Sequence, residues 1–112
     1  MVWRISTAPA KGARLGRLIA AKAVDAEFLY DWAGGLVWAA LSPSADAGSS
    51  VVRGAVAQCG GHASLVRAPA ALRALAAIFE PQQGGVAALT RRIKESFDPK
   101  GVLGPGRMWA GV

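Results

Sequence analysis

Several residue types that carry chemistry are scarce in this chain of 112 residues. Cysteine and histidine occur once each, as Cys59 and His62, so neither an intrachain disulfide nor a metal site built from several such side chains is expected. No apolar run approaches the roughly 20 residues that a membrane-spanning helix needs. The first residues enter a strand-like pattern directly, without the basic and apolar segments of an export signal. We therefore expect a metal-free protein in a reducing, cytoplasmic setting.

Acidic residues are also few, since seven Asp and Glu stand against 13 Lys and Arg and give a formal net charge of +6. An excess of positive charge favours anionic ligands or nucleic acid as partners. Most of the basic residues are scattered singly, and only Arg91, Arg92 and Lys94 form a short cluster, on a predicted helix. We therefore expect no nucleic-acid partner. A stand-alone ferredoxin-like module that binds an anionic ligand or RNA is the alternative function.

Apolar residues make up 53% of the chain and follow periods that predict strands and helices in a definite order. Alternation predicts strands over residues 2–7, 27–33, 36–41 and 62–67, and helical spacing predicts helices over residues 11–22 and 51–59. This order is that of a ferredoxin-like split βαβ sandwich, an α+β fold with an antiparallel sheet. Two helices, over residues 70–79 and 86–97, and an irregular Gly/Pro tail follow. We expect one domain over residues 1–112, with its βαββαβ core in 1–68 and a helical extension and tail in 69–112.

Gly34 and Gly35 separate the second predicted strand from the third. A two-residue turn at this point places Ala33 opposite Leu36 and sets the register of the hairpin. One side of the sheet then carries Phe28, Tyr30, Trp32, Val37, Ala39 and Leu41, and the other carries Leu29, Asp31, Ala33, Leu36, Trp38 and Ala40. Because both sides are largely apolar, the side without helices is expected to need cover from the C-terminal helices or from a neighbour outside this chain.

A few side chains are candidates for chemistry. His62 can act as an acid or base near neutral pH, but a structural place at a strand edge is favoured because no partner for a catalytic triad is apparent. Asp31 interrupts an apolar strand, where a carboxylate is costly unless paired, and both an ion pair with an arginine and a functional role are compatible with this position. Trp32 and Trp38 are expected to lie in the core, as large aromatic side chains usually do. Cys59 lies on the apolar stripe of its helix, where burial makes a thiol inert.

The tail contains three closely spaced glycines, Gly101, Gly104 and Gly106. They are not a dinucleotide-binding fingerprint, because no strand precedes them and no helix follows. They predict tight turns instead. Arg107 comes directly after them, and its forked donors suit a phosphate or a carboxylate.

Four segments carry a resemblance to a known family. They are Trp3-Arg4-Ile5-Ser6, Asp31-Trp32-Ala33-Gly34-Gly35, Gly60-Gly61-His62-Ala63, and residues 92–108, which include Asp98-Pro99 and Gly104-Pro105-Gly106-Arg107. In this order they resemble the C-terminal domain of FAD-linked oxidases of the vanillyl-alcohol oxidase type, and most of all the FAD-binding subunits of bacterial glycolate oxidases. Gly104 stands where the family usually has Asn, so a flavin contact from that Asn side chain is missing here.

The resemblance implies a cap domain that covers FAD, while an N-terminal FAD-binding domain of the same protein holds most of the cofactor. Gly104, Pro105, Gly106 and Arg107 are then cofactor-binding candidates, and Asp31, Trp38 and His62 are substrate-side candidates. The implied reaction is FAD-dependent oxidation of a small 2-hydroxy acid, glycolate to glyoxylate, by the longer enzyme, with this fragment inactive alone. The implied partners are a second flavoprotein subunit and an iron-sulfur subunit, in a complex at the inner face of the cell membrane.

Overall fold

The strands and helices predicted from the sequence occur in the predicted order. The computed structural model describes residues 1–109 and 111–112. Its elements are β1 (Val2–Ser6), α1 (Gly12–Ala20), β2 (Glu27–Asp31), β3 (Leu36–Ala40), α2 (Ser49–Cys59), β4 (His62–Arg67), α3 (Ala70–Leu75) and α4 (Gly84–Phe97). The chain divides into two compact units, Met1–Ile78 and Phe79–Val112.

The first unit is built on one antiparallel sheet of four strands in the order β2-β3-β1-β4. The strands that α1 connects, β1 and β2, are parallel to each other with β3 between them, and α2 connects β3 to β4 in the same way around β1. This arrangement confirms the predicted α+β class. The first two helices pack on one face of the sheet, because their apolar stripes and the inward side chains of the strands form one core.

Trp3 anchors that core from the central strand. Its ring is fully buried, and its indole Nε1 donates a hydrogen bond of 2.9 Å to the Ala47 carbonyl. The Arg53 guanidinium carbon lies 5.4 Å from the centroid of the Trp3 ring, within cation–π range. The other large side chains that are fully buried are Ile5, Leu15, Ile19, Val37, Val52, Cys59 and Leu65.

The turn between β2 and β3 is longer than predicted. Asp31 pairs with Leu36, so the loop contains the four residues 32–35 and the predicted pairing of Ala33 with Leu36 is wrong. The register is displaced by two residues, which places Tyr30 opposite Val37. Because a strand alternates with a period of two, a displacement of two leaves every paired side chain on its predicted side of the sheet. The predicted division into two sides is therefore confirmed for the paired residues Glu27–Asp31 and Leu36–Ala40. The predicted turn is wrong, and Trp32 and Ala33, which were assigned to the strand, lie in the loop.

A local hydrogen bond and the close approach of the start of α1 explain the longer loop. The Asp31 carboxylate accepts a hydrogen bond of 2.7 Å from the Trp32 backbone N–H and ends the strand early. The backbone then has positive φ at Trp32, Ala33 and Gly34, whereas φ at Gly35 is −78°. The start of α1 lies against this loop, since a Cβ on Gly12 would be 2.0 Å from the Gly34 carbonyl oxygen. A contact between distant segments therefore shapes the loop, and the second glycine of the pair does not supply positive φ.

The third helix is shorter than predicted, because α3 ends at Leu75 and the backbone is extended at Ala76. The next residues bond to the core instead. The Ile78 carbonyl accepts a hydrogen bond of 2.8 Å from the Leu65 N–H, and the Ala77 carbonyl accepts one of 2.6 Å from Arg53 Nη2. The bond to Leu65 covers part of the β4 edge of the sheet, and both bonds take the place of another helical turn.

The second unit consists of α4 and the tail. No residue of α4 is buried, and its predicted apolar stripe of Val86, Leu89, Ile93 and Phe97 is exposed throughout. Within this unit Trp109 is half-buried, and its Nε1 donates a hydrogen bond of 3.0 Å to the Glu80 carbonyl. Among the described residues, no helix combines the length and the hydropathy of a membrane span.

Candidate functional site

Three segments that are distant in sequence meet at one end of the sheet. They are the end of β1, the loop between β2 and β3, and the junction of α2 with β4, which the sequence resemblance had singled out. The Thr7 backbone N–H donates a hydrogen bond of 2.9 Å to the Gly35 carbonyl, and Thr7 Oγ1 donates one of 2.9 Å to the Gly60 carbonyl. Thr7 therefore ties both loops to the central strand.

Glycine allows the backbones to approach closely at this end. A Cβ on Gly61 would lie 2.1 Å from the Ser6 carbonyl oxygen, and φ at Gly61 is +115°, a conformation that L side chains rarely adopt. Only glycine satisfies both conditions. The Gly60-Gly61 pair thus sets the position of His62 at the start of β4.

Trp32 is the functional candidate that the sequence did not reveal. It was expected in the core, but its side chain is 65% exposed and its φ is +51°. A bulky residue in this region is a backbone outlier, and such strain clusters at functional sites. The sequence resemblance includes Trp32 in one of its segments, but only the backbone conformation singles it out there, because hydrophobic periodicity carries no signal for a positive φ.

The face of the sheet opposite the first two helices brings the three substrate-side candidates together. Asp31, Trp38 and His62 all lie on it, because the register sets their side chains on the same side of their strands. We call it the open face. One cross-strand row reads Leu29, Trp38, Arg4, Ser64, and the next reads Asp31, Leu36, Ser6, His62.

Asp31 and His62 nevertheless lie at opposite edges of the open face. Three strand spacings separate them, about 14 Å, so they cannot exchange a proton directly. The Asp31 carboxylate accepts a hydrogen bond from the Trp32 N–H, and within the described chain it forms no ion pair, so of the two alternatives the pairing with an arginine is not observed. His62 is exposed at the edge strand.

Arg4 and Trp38 occupy the middle of the open face. They are direct cross-strand neighbours on β1 and β3, where side chains stand about 5 Å apart. Both are half-buried, and the Arg4 guanidinium makes no hydrogen bond or ion pair with any described residue. An arginine directly across from a tryptophan, in partly apolar surroundings, suits a carboxylate or another small anion.

The remaining candidates of the first unit offer no reactive group. Cys59 is buried in the core on the apolar stripe of α2, as predicted. Across the described part of the chain, no group of three or more His, Cys, Asp or Glu side chains could hold a metal ion.

Asp98 organises the tail of the second unit. Its carboxylate accepts hydrogen bonds from the backbone N–H groups of Val102 at 3.0 Å and Leu103 at 2.8 Å, and it forms an ion pair of 2.7 Å with Lys94 Nζ. The hydrogen bond from Lys94 is the largest cause, and the one from Leu103 the next, of a lowering of the Asp98 pKa from 3.8 to about 2. The carboxylate thus fixes the turn that follows α4.

The cofactor-binding candidates Gly104, Pro105, Gly106 and Arg107 lie in the exposed turn beyond Asp98. Gly104 and Gly106 have positive φ, but no backbone crowds them, so they shape the turn and do not enclose a group. The Arg107 side chain is exposed and pairs with no described residue. These residues could offer a flavin a single contact from Arg107. They do not form a loop that encloses the pyrophosphate of FAD.

The geometry thus defines an α+β domain whose sheet presents an arginine and a tryptophan on its open face. Comparisons with protein-family models, with curated proteins and with solved structures found no match.

Proposed function

We propose that the chain is the C-terminal cap domain of an FAD-dependent 2-hydroxy-acid oxidase of the vanillyl-alcohol oxidase type, similar to the FAD-binding subunit of glycolate oxidase. The observation that carries the proposal is the pairing of Arg4 with Trp38 across neighbouring strands at the centre of the open face, with the Arg4 side chain bound to no described residue. The meeting of three motif segments at one end of the sheet supports it further, because these segments carry the sequence resemblance.

The residues of the open face would bind and orient the substrate. Arg4 would hold the carboxylate of the hydroxy acid with its two parallel donors. Trp38 and the exposed Leu29 would exclude water on one side of it, and Asp31 and His62 would border the site at its two edges. FAD, bound mainly by a domain outside this chain, would supply the two-electron acceptor for oxidation of the hydroxyl-bearing carbon.

The tail would contribute to cofactor retention. The free Arg107 fork would contact the polar edge of the flavin, with Gly104, Pro105 and Gly106 holding the turn in place. The second flavoprotein subunit, the iron-sulfur subunit and association with the inner face of the cell membrane through their complex belong to the same proposal.

Substrate kinetics of the full-length enzyme test the role of Arg4. Replacing Arg4 with Ala removes a charge-assisted pair worth about 1.5–3 kcal/mol, so we expect KM for the hydroxy acid to rise about 10- to 100-fold with little change in bound flavin. Arg4→Lys should recover part of the loss because it keeps the charge without the fork. Arg14→Ala is the matched control, since Arg14 is exposed on α1. A KM for Arg4→Ala equal to that of the control would exclude Arg4 from the substrate site.

Flavin content tests the tail. Arg107→Ala should lower the flavin that copurifies with the full-length protein and leave the fold intact, because Arg107 packs against little. Arg14→Ala serves again as the control. Arg73 is not a suitable control, because its Nη1 donates a hydrogen bond of 2.7 Å to the Val66 carbonyl and its removal would also disturb the fold. Unchanged flavin content in Arg107→Ala would remove the tail from the cofactor site.

The same Arg4 and Trp38 pair favours a second candidate, a module that binds an anionic ligand or RNA. A base can stack on an indole while an arginine pairs with phosphate. Trp38 is the only aromatic side chain on the described part of the open face, however, because Phe28 and Tyr30 lie on the other side with the helices. Titration with dye-labelled single-stranded RNA, followed by fluorescence anisotropy of the dye, separates the candidates. Tight binding by the chain alone that Trp38→Ala abolishes would favour the second.

A further inference from the structure

The free edge of the sheet carries the opposite charge from the rest of the protein. All four acidic residues of the first unit, Asp25, Glu27, Asp31 and Asp46, lie in residues 23–52, which contain no Lys or Arg. The chain as a whole has a net charge of +6. Two of these carboxylates, on Glu27 and Asp31, stand at the two ends of β2.

The backbone of β2 is available for pairing. It is an edge strand, and among the described residues its backbone groups form no hydrogen bonds beyond the ladder with β3. At the other edge, β4 is partly covered because Leu65 donates to the Ile78 carbonyl. Every second residue of β2 therefore presents an unpaired N–H and C=O to the surroundings.

The side chains of β2 determine which residues an added strand must carry. Glu27, Leu29 and Asp31 alternate on the open face, and all three are exposed. A strand added alongside would place its own side chains about 5 Å from them in the same order. The complementary order is a basic residue, an apolar residue and a basic residue at alternate positions.

A second copy of this chain paired about Leu29 does not offer that complementary order. In an antiparallel pairing of two copies centred on Leu29, Glu27 of one copy faces Asp31 of the other, and like charges directly opposite each other are destabilising. Nor does any other segment fit, because no two basic residues of the chain are four positions apart.

We propose that the β2 edge binds an extended segment of another polypeptide by strand addition, with Lys or Arg at positions i and i+4 and an apolar residue at i+2. Backbone hydrogen bonds would supply the affinity, and the two carboxylates would select the basic sequence. The proposed substrate site and this edge share Leu29 and Asp31, but the inference uses neither Arg4 nor the tail, so peptide binding to the chain and substrate kinetics of the full-length enzyme can fail separately.

Nuclear magnetic resonance titration of the full chain tests the proposal, with a peptide of sequence Thr-Lys-Thr-Val-Thr-Lys-Thr as the probe. The amide signals of Glu27–Asp31 should shift, and binding should weaken with salt because the charge pairs are exposed. Two charge pairs contribute enough that the variant Glu27→Gln/Asp31→Asn should bind about tenfold more weakly. Asn at position 31 keeps an oxygen for the Trp32 N–H. The control variant Asp25→Asn/Glu95→Gln changes the net charge equally and should bind as the unmodified chain does.

Two further peptides and a dilution series make the proposal refutable without any variant. A peptide with Glu in place of Lys should not bind, and a peptide with N-methyl groups on alternate amides should not bind because it cannot complete the ladder. Equal binding of the N-methylated peptide would reduce the effect to charge attraction and overturn strand addition. Equal binding of the Glu peptide would overturn the charge selection. Shifts of the same amides on simple concentration of the protein would assign the edge to a second copy.

Discussion

Three alanine substitutions at the glycine-rich end of the sheet separate backbone strain from close approach. Gly60 has φ +78° and no atom within 4 Å of a built Cβ, so Gly60→Ala incurs conformational strain alone, about 1–3 kcal/mol. Gly12 has a helical φ of −57°, but its Cβ would lie 2.0 Å from the Gly34 carbonyl oxygen. Gly12→Ala therefore incurs crowding of about 1–3 kcal/mol, offset by about 1 kcal/mol of helix propensity.

Gly61→Ala combines both effects, because φ is +115° and the Cβ would lie 2.1 Å from the Ser6 carbonyl oxygen. Adding the two contributions gives about 2–6 kcal/mol, a large part of the roughly 5–15 kcal/mol that stabilises a small domain. Urea unfolding of the three variants, followed by tryptophan fluorescence, measures each loss. If Gly61→Ala is no less stable than Gly60→Ala, the close contact between the α2–β4 junction and β1 does not exist in solution. The three motif segments then do not meet at this end of the sheet.

Three other predictions address the loop, the tail and the cofactor. Ala33→Gly should raise the free energy of unfolding by about 0.5–1 kcal/mol in urea titrations, because glycine relieves the left-handed conformation at φ 53°; a loss of stability would contradict that conformation. Because the pKa of Asp98 is lower folded than unfolded, its stabilisation is present above pH 3.8 and is lost as the pH falls toward about 2; circular dichroism of Asp98→Asn should lack this acid-dependent loss, and equal acid profiles would remove Asp98 as the cause. Flavin fluorescence titration of the isolated chain should show weak FAD binding or none, and micromolar affinity would contradict the proposed division of the cofactor site between two domains.

Hydrophobic periodicity was sufficient to predict the order of the strands and helices. The stripe of Val52, Ala55, Val56 and Cys59 on α2 is buried as predicted, and β4 spans His62–Arg67 as predicted. These elements follow from the sequence because their apolar side chains must face the core with the period of their own backbone. The same alternation placed Asp31 and Trp38 on one side of the sheet and Tyr30 on the other.

Contacts between distant segments decided what periodicity could not. The Asp31 cap and the approach of α1 to Gly34 moved the positive φ angles to Trp32 and Ala33 and lengthened the hairpin loop. Hydrogen bonds from Leu65 and Arg53 drew the chain after Leu75 out of its predicted helix. The open face with its Arg4–Trp38 pair arose in the same way, because strand order and register join β1 to β3, which are far apart in the sequence. The sequence by itself determined which residues form strands and helices, since that is a local property of the pattern, whereas tertiary packing alone decided which of them meet.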